Sequence, residues 1–108
     1  MNVRLKLSDE SDAYIIQNMW PLYTHEVSEF AIAKPNRHGL LSDDENIATH
    51  EAQNATLLLW WRDPEALIPY LILADGHPAG FSLIAHRSRL PDTIDADFVV
   101  HEFFVMHA

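Results

Sequence analysis

The dipeptide Asp75-Gly76 constrains the fold of this chain more than any other feature. It stands between two mainly apolar runs, which end at residue 74 and resume at residue 79. A two-residue turn of this composition requires positive φ angles, which glycine adopts at little cost, and its twist suits two antiparallel strands. The sequence therefore predicts a β-hairpin over residues 70–85. Gly80, inside the second strand, predicts a bulge or a close approach of two backbones.

Two further strands are predicted, one before and one after this hairpin. Val3, Leu5 and Leu7 alternate with charged residues, which is the period of a strand with one buried face. Residues 97–106 are mostly apolar and predict the strand that follows the hairpin.

The segment between the first strand and the hairpin predicts helices. Ser8 and Asp9 offer side-chain oxygens for a helix N-terminus, and apolar residues follow at helical spacing through Tyr23 to Phe30. Pro21 lies inside that pattern, so it predicts either a kink or the first turn of a second helix.

A third helix is predicted from about residue 47 to residue 62, after a loop over residues 33–46. The apolar segment 57–61 could instead begin a strand. Together these elements predict a single α+β domain over residues 1–108, with a mixed, mainly antiparallel sheet of about four strands and about three helices.

Composition narrows the classes of function. Of the 108 residues 48% are hydrophobic, which is typical of a packed domain. The chain has no cysteine, which excludes disulfides, a thiolate nucleophile and a thiolate metal site. The formal net charge is −9 and no basic patch is visible, so we expect no nucleic-acid partner. An acidic surface could instead favour a cationic acceptor such as an amine.

The sequence also bears on location. Residues 1–7 lack the apolar core of a signal peptide, and no apolar run approaches the roughly 18 residues that a membrane span needs. We therefore expect a cytoplasmic protein without a membrane partner.

The order of the predicted elements, and three stretches within it, resemble the N-terminal portion of the GNAT-type N-acetyltransferase superfamily. Residues 20–30 look like the second-helix region of a predicted acetyltransferase subgroup, residues 70–81 like its central hairpin, and residues 101–106 like its fourth strand. The resemblance implies acetyl transfer from acetyl-CoA to an amine acceptor, by direct attack in a ternary complex. The resemblance covers nearly the whole of this chain, which corresponds to the N-terminal half of the family's domain. The glycine-rich loop that holds the pyrophosphate in this family is absent from the 108 residues, so we expect this chain to be inactive or impaired.

The resemblance places the cofactor against the fourth strand, at Phe103, Phe104, Val105 and Met106. Main-chain groups of Val105 would bind the pantetheine arm of acetyl-CoA, and an amide near Phe103 could stabilise the oxyanion of the thioester. Alternate residues of a strand point their N–H groups to the same edge, so Phe103 and Val105 could act together. The alternative is that these apolar residues form an ordinary buried strand.

Three side chains are candidates for the acceptor site. Glu102 is an ionisable residue within an apolar strand, where partial burial would raise its pKa and let it take a proton from an attacking amine. Tyr23 and Glu26 lie in the helical region that walls the acceptor pocket in the family. Alternatively, Glu102 faces solvent or is satisfied by a partner residue, and the helical stripe around Tyr23 belongs to the core.

Seven histidines raise the question of a metal site. His86, His101 and His107 could approach one another on neighbouring strands, but no His-Glu-x-x-His pattern is present, and we predict no metal. Adjacent residues do not face each other on a helix and point to opposite faces of a strand. This argues against a joint role for three adjacent pairs, His25-Glu26, His50-Glu51 and His101-Glu102.

The sequence ends directly after the predicted fourth strand, so the strand from Phe98 to Met106 is expected to lie at a sheet edge. An open apolar edge promotes association with other chains. We therefore expect a homodimer through this edge, by edge-to-edge pairing or by strand exchange. This expectation supports an alternative to an enzyme, a non-catalytic dimeric binding or regulatory module of the same fold. A further alternative, an unrelated α+β binding domain, explains the order of the elements less well.

Overall fold

The computed structural model of the chain describes residues 2–28 and 35–106. The fold is α+β, as predicted. The helices and strands are, in order, β1 (Val3–Leu7), α1 (Ala13–Ser28), α2 (His50–Leu57), β2 (Leu67–Ala74), β3 (His77–His86) and β4 (Phe98–Val105). Short 3-10 turns lie at Glu10–Asp12, Leu58–Trp61 and Arg87–Arg89.

The four strands form one sheet in the order β1-β2-β3-β4, and every neighbouring pair is antiparallel. The predicted hairpin is confirmed: Asp75 and Gly76 have φ angles of 51° and 83°, the two positive values that a tight turn of this kind requires. The expectation of a mixed sheet is wrong for the described strands. The chain between β1 and β2 brings β2 back antiparallel to β1, with Leu5 opposite Ile72.

Two α-helices, rather than about three, lie in the described part of the chain. Pro21 is inside α1 and does not begin a second helix, and the Thr24 hydroxyl donates a hydrogen bond to the Pro21 carbonyl oxygen at 3.1 Å. Residues on both sides of Pro21 pack against the sheet, which offsets the hydrogen bond that proline cannot donate. Phe30, the last residue of the predicted stripe, lies outside the described residues.

The second helix is shorter than predicted. Thr49 caps its N-terminus, because the Thr49 hydroxyl accepts a hydrogen bond from the Ala52 N–H at 3.0 Å. The helix tightens into the 3-10 turn Leu58–Trp61, so the alternative that this segment begins a strand is wrong. The predicted loop is confirmed over residues 35–46, where no helix or strand is present.

The core lies between α1 and one face of the sheet. Leu71 is opposite Phe81 in the hairpin, and Phe81 is opposite Phe104 on β4, so these side chains share a face. The rings of Phe81 and Phe104 are 5.7 Å apart. The buried core cluster consists of Ile16, Met19, Leu71, Leu73, Phe81, Leu83 and Phe104.

The hairpin and β4 each contain an irregularity in register. Opposite the consecutive residues Ile72 and Leu73, β3 places Gly80 and Pro78, so one extra residue is accommodated beside Gly80. A Cβ atom on Gly80 would lie 2.0 Å from the carbonyl oxygen of Phe104. Both parts of the prediction for Gly80, a bulge and a close backbone approach, are therefore confirmed.

Candidate functional site

A cavity of about 420 Å³ lies between α1, the loop that precedes α2, and β4. Its apolar part comes from both helices and from the loop, and carboxylates of the loop and of β4 contribute to its wall. These acids are Asp43 and Asp44 on the loop and Glu102 on β4, an arrangement that attracts a cation into an otherwise largely apolar space. The residues that line it are Trp20, Tyr23, Thr24, Val27, Leu41, Ser42, Asp43, Asp44, Ile47, Gln53, Thr56, Leu57 and Glu102.

Two of the predicted site residues meet in this cavity. The Tyr23 hydroxyl donates a hydrogen bond to Oε2 of Glu102, across a sequence separation of 79 residues. Only 22% of the Glu102 side chain is exposed, and burial raises the pKa of its carboxyl group. A carboxylate with a raised pKa is a stronger base, so this group can accept a proton from a bound amine.

The third predicted side chain, Glu26, is on the same helix as Tyr23 and is half-buried. It is not one of the described residues that line the cavity, whereas its neighbours Thr24 and Val27 are. The structure therefore brings together Tyr23 and Glu102 and leaves Glu26 beside them on α1.

Glu102 is aimed into the cavity next to a bulge in β4. Leu83 and Ile84 of β3 stand opposite Glu102 and Val100, so His101 is the extra residue of the bulge. Nδ1 of His101 lies 3.3 Å from Oε1 of Glu102, and its ring centroid lies 5.5 Å from that of Trp60. The inference that adjacent His and Glu residues point to opposite faces is wrong for this pair, because the bulge interrupts the alternation of the strand.

The outer edge of β4 carries main-chain donors. The Met106 N–H donates to the Ala79 carbonyl oxygen at 2.7 Å, so this amide points toward β3. Amides alternate along a strand, and those of Phe103 and Val105 therefore point away from β3. β4 is an edge strand of the described sheet, and these two N–H groups lie at its open side. The alternative of an ordinary buried strand fits Phe104, which is 5% exposed, but not Phe103, which is 60% exposed.

Asn36 organises the loop that walls the cavity, and the sequence analysis did not identify it. Its side chain is buried, and Nδ2 donates to the carbonyl oxygens of Asp44 and Ile47 at 3.0 and 2.8 Å. Its Oδ1 accepts from the N–H groups of His38 and Leu40 at 2.9 and 3.1 Å. These four bonds use the full donor capacity of the amide and fix the loop that carries the acidic residues. The only signal in the sequence is an asparagine after Pro35, which is common in loops of many kinds.

The histidines do not form a cluster in the described part of the chain. The ring of His86 packs on Phe98 at 5.1 Å, and His101 packs on Trp60. His107 lies outside the described residues. Within residues 2–28 and 35–106, no three His, Asp or Glu side chains are close enough to hold a metal ion.

No helix in the part of the chain that the structure describes is long and apolar enough to cross a membrane.

Comparison of the sequence with models of protein families gives no match. A search of the curated proteins gives no significant match either.

Proposed function

We propose that this chain is the N-terminal part of a GNAT-like N-acetyltransferase, whose cavity receives an amine acceptor and whose Glu102 is the general base. One observation carries the proposal. The half-buried carboxyl group of Glu102 holds a hydrogen bond from Tyr23 at the wall of a 420 Å³ cavity, directly beside the open edge of β4. A base, an acceptor space and a row of main-chain donors thus lie next to one another.

The roles of the two side chains follow from their environment. An amine must lose a proton as it is acylated, and the Glu102 carboxylate is the acceptor for that proton. Burial raises the pKa of this carboxyl group, which strengthens it as a base. The Tyr23 hydroxyl orients the carboxylate by donating to Oε2, and Oε1 lies 3.3 Å from Nδ1 of His101. Each carboxylate oxygen has a second lone pair, which can accept from the amine. Asp43 and Asp44 favour entry of a protonated amine.

The cofactor of this reaction is acetyl-CoA, which supplies the activated acetyl group. The outward N–H groups of Phe103 and Val105 suit an extended amide chain such as the pantetheine arm, which can add to the edge as a strand does. Phe104 and Met106 complete the proposed cofactor strand. No glycine-rich pyrophosphate loop lies within the 108 residues, so we expect this segment alone to bind acetyl-CoA weakly and to be impaired in activity. A cytoplasmic location is part of this proposal, with which the cysteine-free composition is compatible.

Isothermal titration of the chain with acetyl-CoA, with CoA as the comparison ligand, tests the cofactor site. Acetylation of primary amines is then followed by release of the CoA thiol, which is measured without background because the chain has no cysteine. We expect Glu102→Gln to lower the rate by about 100-fold or more, whereas Glu65→Gln, at an exposed position, leaves it unchanged. The proposal fails if acetyl-CoA does not bind at millimolar concentration, or if Glu102→Gln retains the full rate.

The second candidate function is a non-catalytic homodimeric binding module of the same fold, joined through the edge between Phe98 and Met106. The observation that favours it is the open side of β4, where exposed side chains accompany the outward amides of Phe103 and Val105. Light scattering tests this module: a dimer that binds no acetyl-CoA supports it, and a monomer at micromolar concentration contradicts it.

A further inference from the structure

The face of the sheet that points away from α1, here called the outer face, carries two rows of exposed apolar side chains. One row is on β1 and the other is on β4, at the two ends of the sheet. In the middle of the face, Ile72 and Ser82 are buried. The exposed members are Val3, Leu5, Leu7, Phe98, Val100, Phe103 and Val105, each between 43% and 62% exposed.

The register establishes that both rows lie on one face. Lys6 is opposite the core residue Leu71, so Lys6 points toward α1 and its neighbour Leu5 points to the outer face. On β4 the core residue Phe104 points toward α1, so Phe103 and Val105 point to the outer face. The two rows are therefore parts of a single surface, although they lie about 100 residues apart in sequence.

The two rows together expose an area comparable to that of the largest apolar patches on monomers. The exposed fractions of their seven residues correspond to about 700 Å², main-chain atoms included and divided between the two rows, and the largest patch on a typical monomer is about 300–600 Å². Two copies of the surface would bury about 1,400 Å² together, which lies within the range of specific protein–protein interfaces.

The charged side chains of the four described strands lie on the α1 side of the sheet. Arg4 and Lys6 of β1 point toward α1, and Lys6 pairs there with Asp12 at 3.1 Å. No Asp, Glu, Lys or Arg of the four described strands points to the outer face, because Glu102 is also on the α1 side. The strands of two outer faces can therefore meet without burying a charge of their own, despite the net charge of −9.

We propose that the outer face binds the outer face of a second copy of this chain, so that two sheets stack in a symmetric homodimer. Stacking covers the rows on β1 and β4 at once, with sheets about 10 Å apart. Pairing through the β4 edge would leave the β1 row in water. Stacking also leaves the outward amides of Phe103 and Val105 free, and it does not depend on the proposed reaction.

The two dimers are distinguished at Leu5, which is on the outer face but on the strand farthest from the β4 edge. Leu5→Asp places a charge in the stacked interface of both copies. The matched control is Leu22→Asp, since Leu22 is 54% exposed but belongs to α1 on the other side of the sheet. Circular dichroism checks that both variants are folded.

Light scattering across a concentration series measures the association. We expect the unaltered chain to have twice the 12.4 kDa mass of one copy. Leu5→Asp should raise the dissociation constant by about 100-fold or more, because each copy loses the burial of one leucine, and Leu22→Asp should leave it unchanged. Higher salt should lower the dissociation constant, since it screens the repulsion between two acidic copies.

A cysteine at position 5 gives a second measurement that does not depend on a disruptive change. The chain has no cysteine, so in Leu5→Cys a maleimide reports one site only. Labelling should slow as the concentration passes the dissociation constant, whereas Leu22→Cys should label at a constant rate. Two results would overturn the proposal. A monomer at 100 μM would assign the outer face to a different occupant. A dimer that Leu5→Asp does not weaken, and whose formation does not slow maleimide labelling at position 5, would be assigned to the β4 edge.

Discussion

Replacement of Gly80 by alanine is expected to push β4 away from β3. The added Cβ atom would lie 2.0 Å from the Phe104 carbonyl oxygen and 3.0 Å from Cα of Val105. Carbon–oxygen contacts are ordinarily about 3.3 Å or longer, so β4 must move by about 1 Å at this point. Both contacting atoms belong to the backbone, and no side-chain rotation can relieve the overlap.

The cost of this movement follows from what β4 buries. Phe104 is 5% exposed, and its ring lies 5.7 Å from Phe81 and 5.8 Å from Tyr23, so displacement loosens the aromatic core. Overpacking costs about 1–3 kcal/mol, and a shift of the backbone belongs at the upper end of that range. We expect Gly80→Ala to lower the free energy of unfolding by about 3 kcal/mol, which corresponds to a fall in Tm of about 15 °C.

Urea denaturation followed by circular dichroism measures the loss, with Gly76→Ala as the control. Gly76 also has a constrained conformation, with φ 83°, but an added Cβ there meets no atom within 4 Å. Its replacement should cost only the strain of a left-handed alanine, about 1 kcal/mol. A loss for Gly80→Ala no larger than that for Gly76→Ala would refute the steric argument for the β3–β4 contact.

Three further changes test the candidate site. Burial raises the pKa of the Glu102 carboxyl group, so the folded chain holds the carboxyl proton more tightly than the unfolded chain. The free energy of unfolding should therefore fall as pH rises from the ordinary pKa of 4.5 through the folded pKa. Urea unfolding measured from pH 4 to pH 7 should show a smaller fall for Glu102→Gln. Tyr23→Phe removes the hydrogen bond to Glu102 and should lower the free energy of unfolding at pH 7 by about 1–2 kcal/mol. Tyr14→Phe, at a position that is 60% exposed, should not lower it. Equal losses for the two variants in the same urea assay would contradict the role of the bond. Asn36→Asp replaces two buried hydrogen-bond donors with an acceptor and should speed hydrogen exchange of the backbone amides in residues 37–47. Asn46→Asp, at an exposed position of the same loop, should not change the exchange rates. Unchanged exchange in Asn36→Asp would show that other contacts hold the loop.

Local signals in the sequence predicted the strands and the turn. Asp75-Gly76 fixes a turn through its own φ preferences, so the hairpin could be read from two residues and the apolar runs beside them. The close approach at Gly80 was predictable for the same reason, since a glycine inside a strand usually marks a position where a side chain does not fit. Which backbone it approaches was not predictable, because the partner Phe104 lies in another strand.

The candidate site was predictable only in part. Glu102 stands out as an acid in an apolar strand, and the structure places it half-buried beside Tyr23. The bulge at His101, which brings its ring beside Glu102, has no glycine or proline to mark it. Asn36 was missed because its four hydrogen bonds reach residues up to 11 positions away. The sequence around a loop asparagine does not show whether its side chain is buried or exposed.

The sequence by itself determined the α+β class, the hairpin and the absence of thiol chemistry, because backbone preference, hydrophobic period and residue inventory are properties of neighbouring residues or of composition. Only the tertiary structure decided the antiparallel direction of all four described strands, the contact between Tyr23 and Glu102, and the face of the sheet that α1 leaves exposed. Each of these depends on packing between segments that are far apart in the chain. The sequence shows that Leu5 and Phe103 belong to strands with apolar residues, but only the register of the strands places both side chains on one face of the sheet.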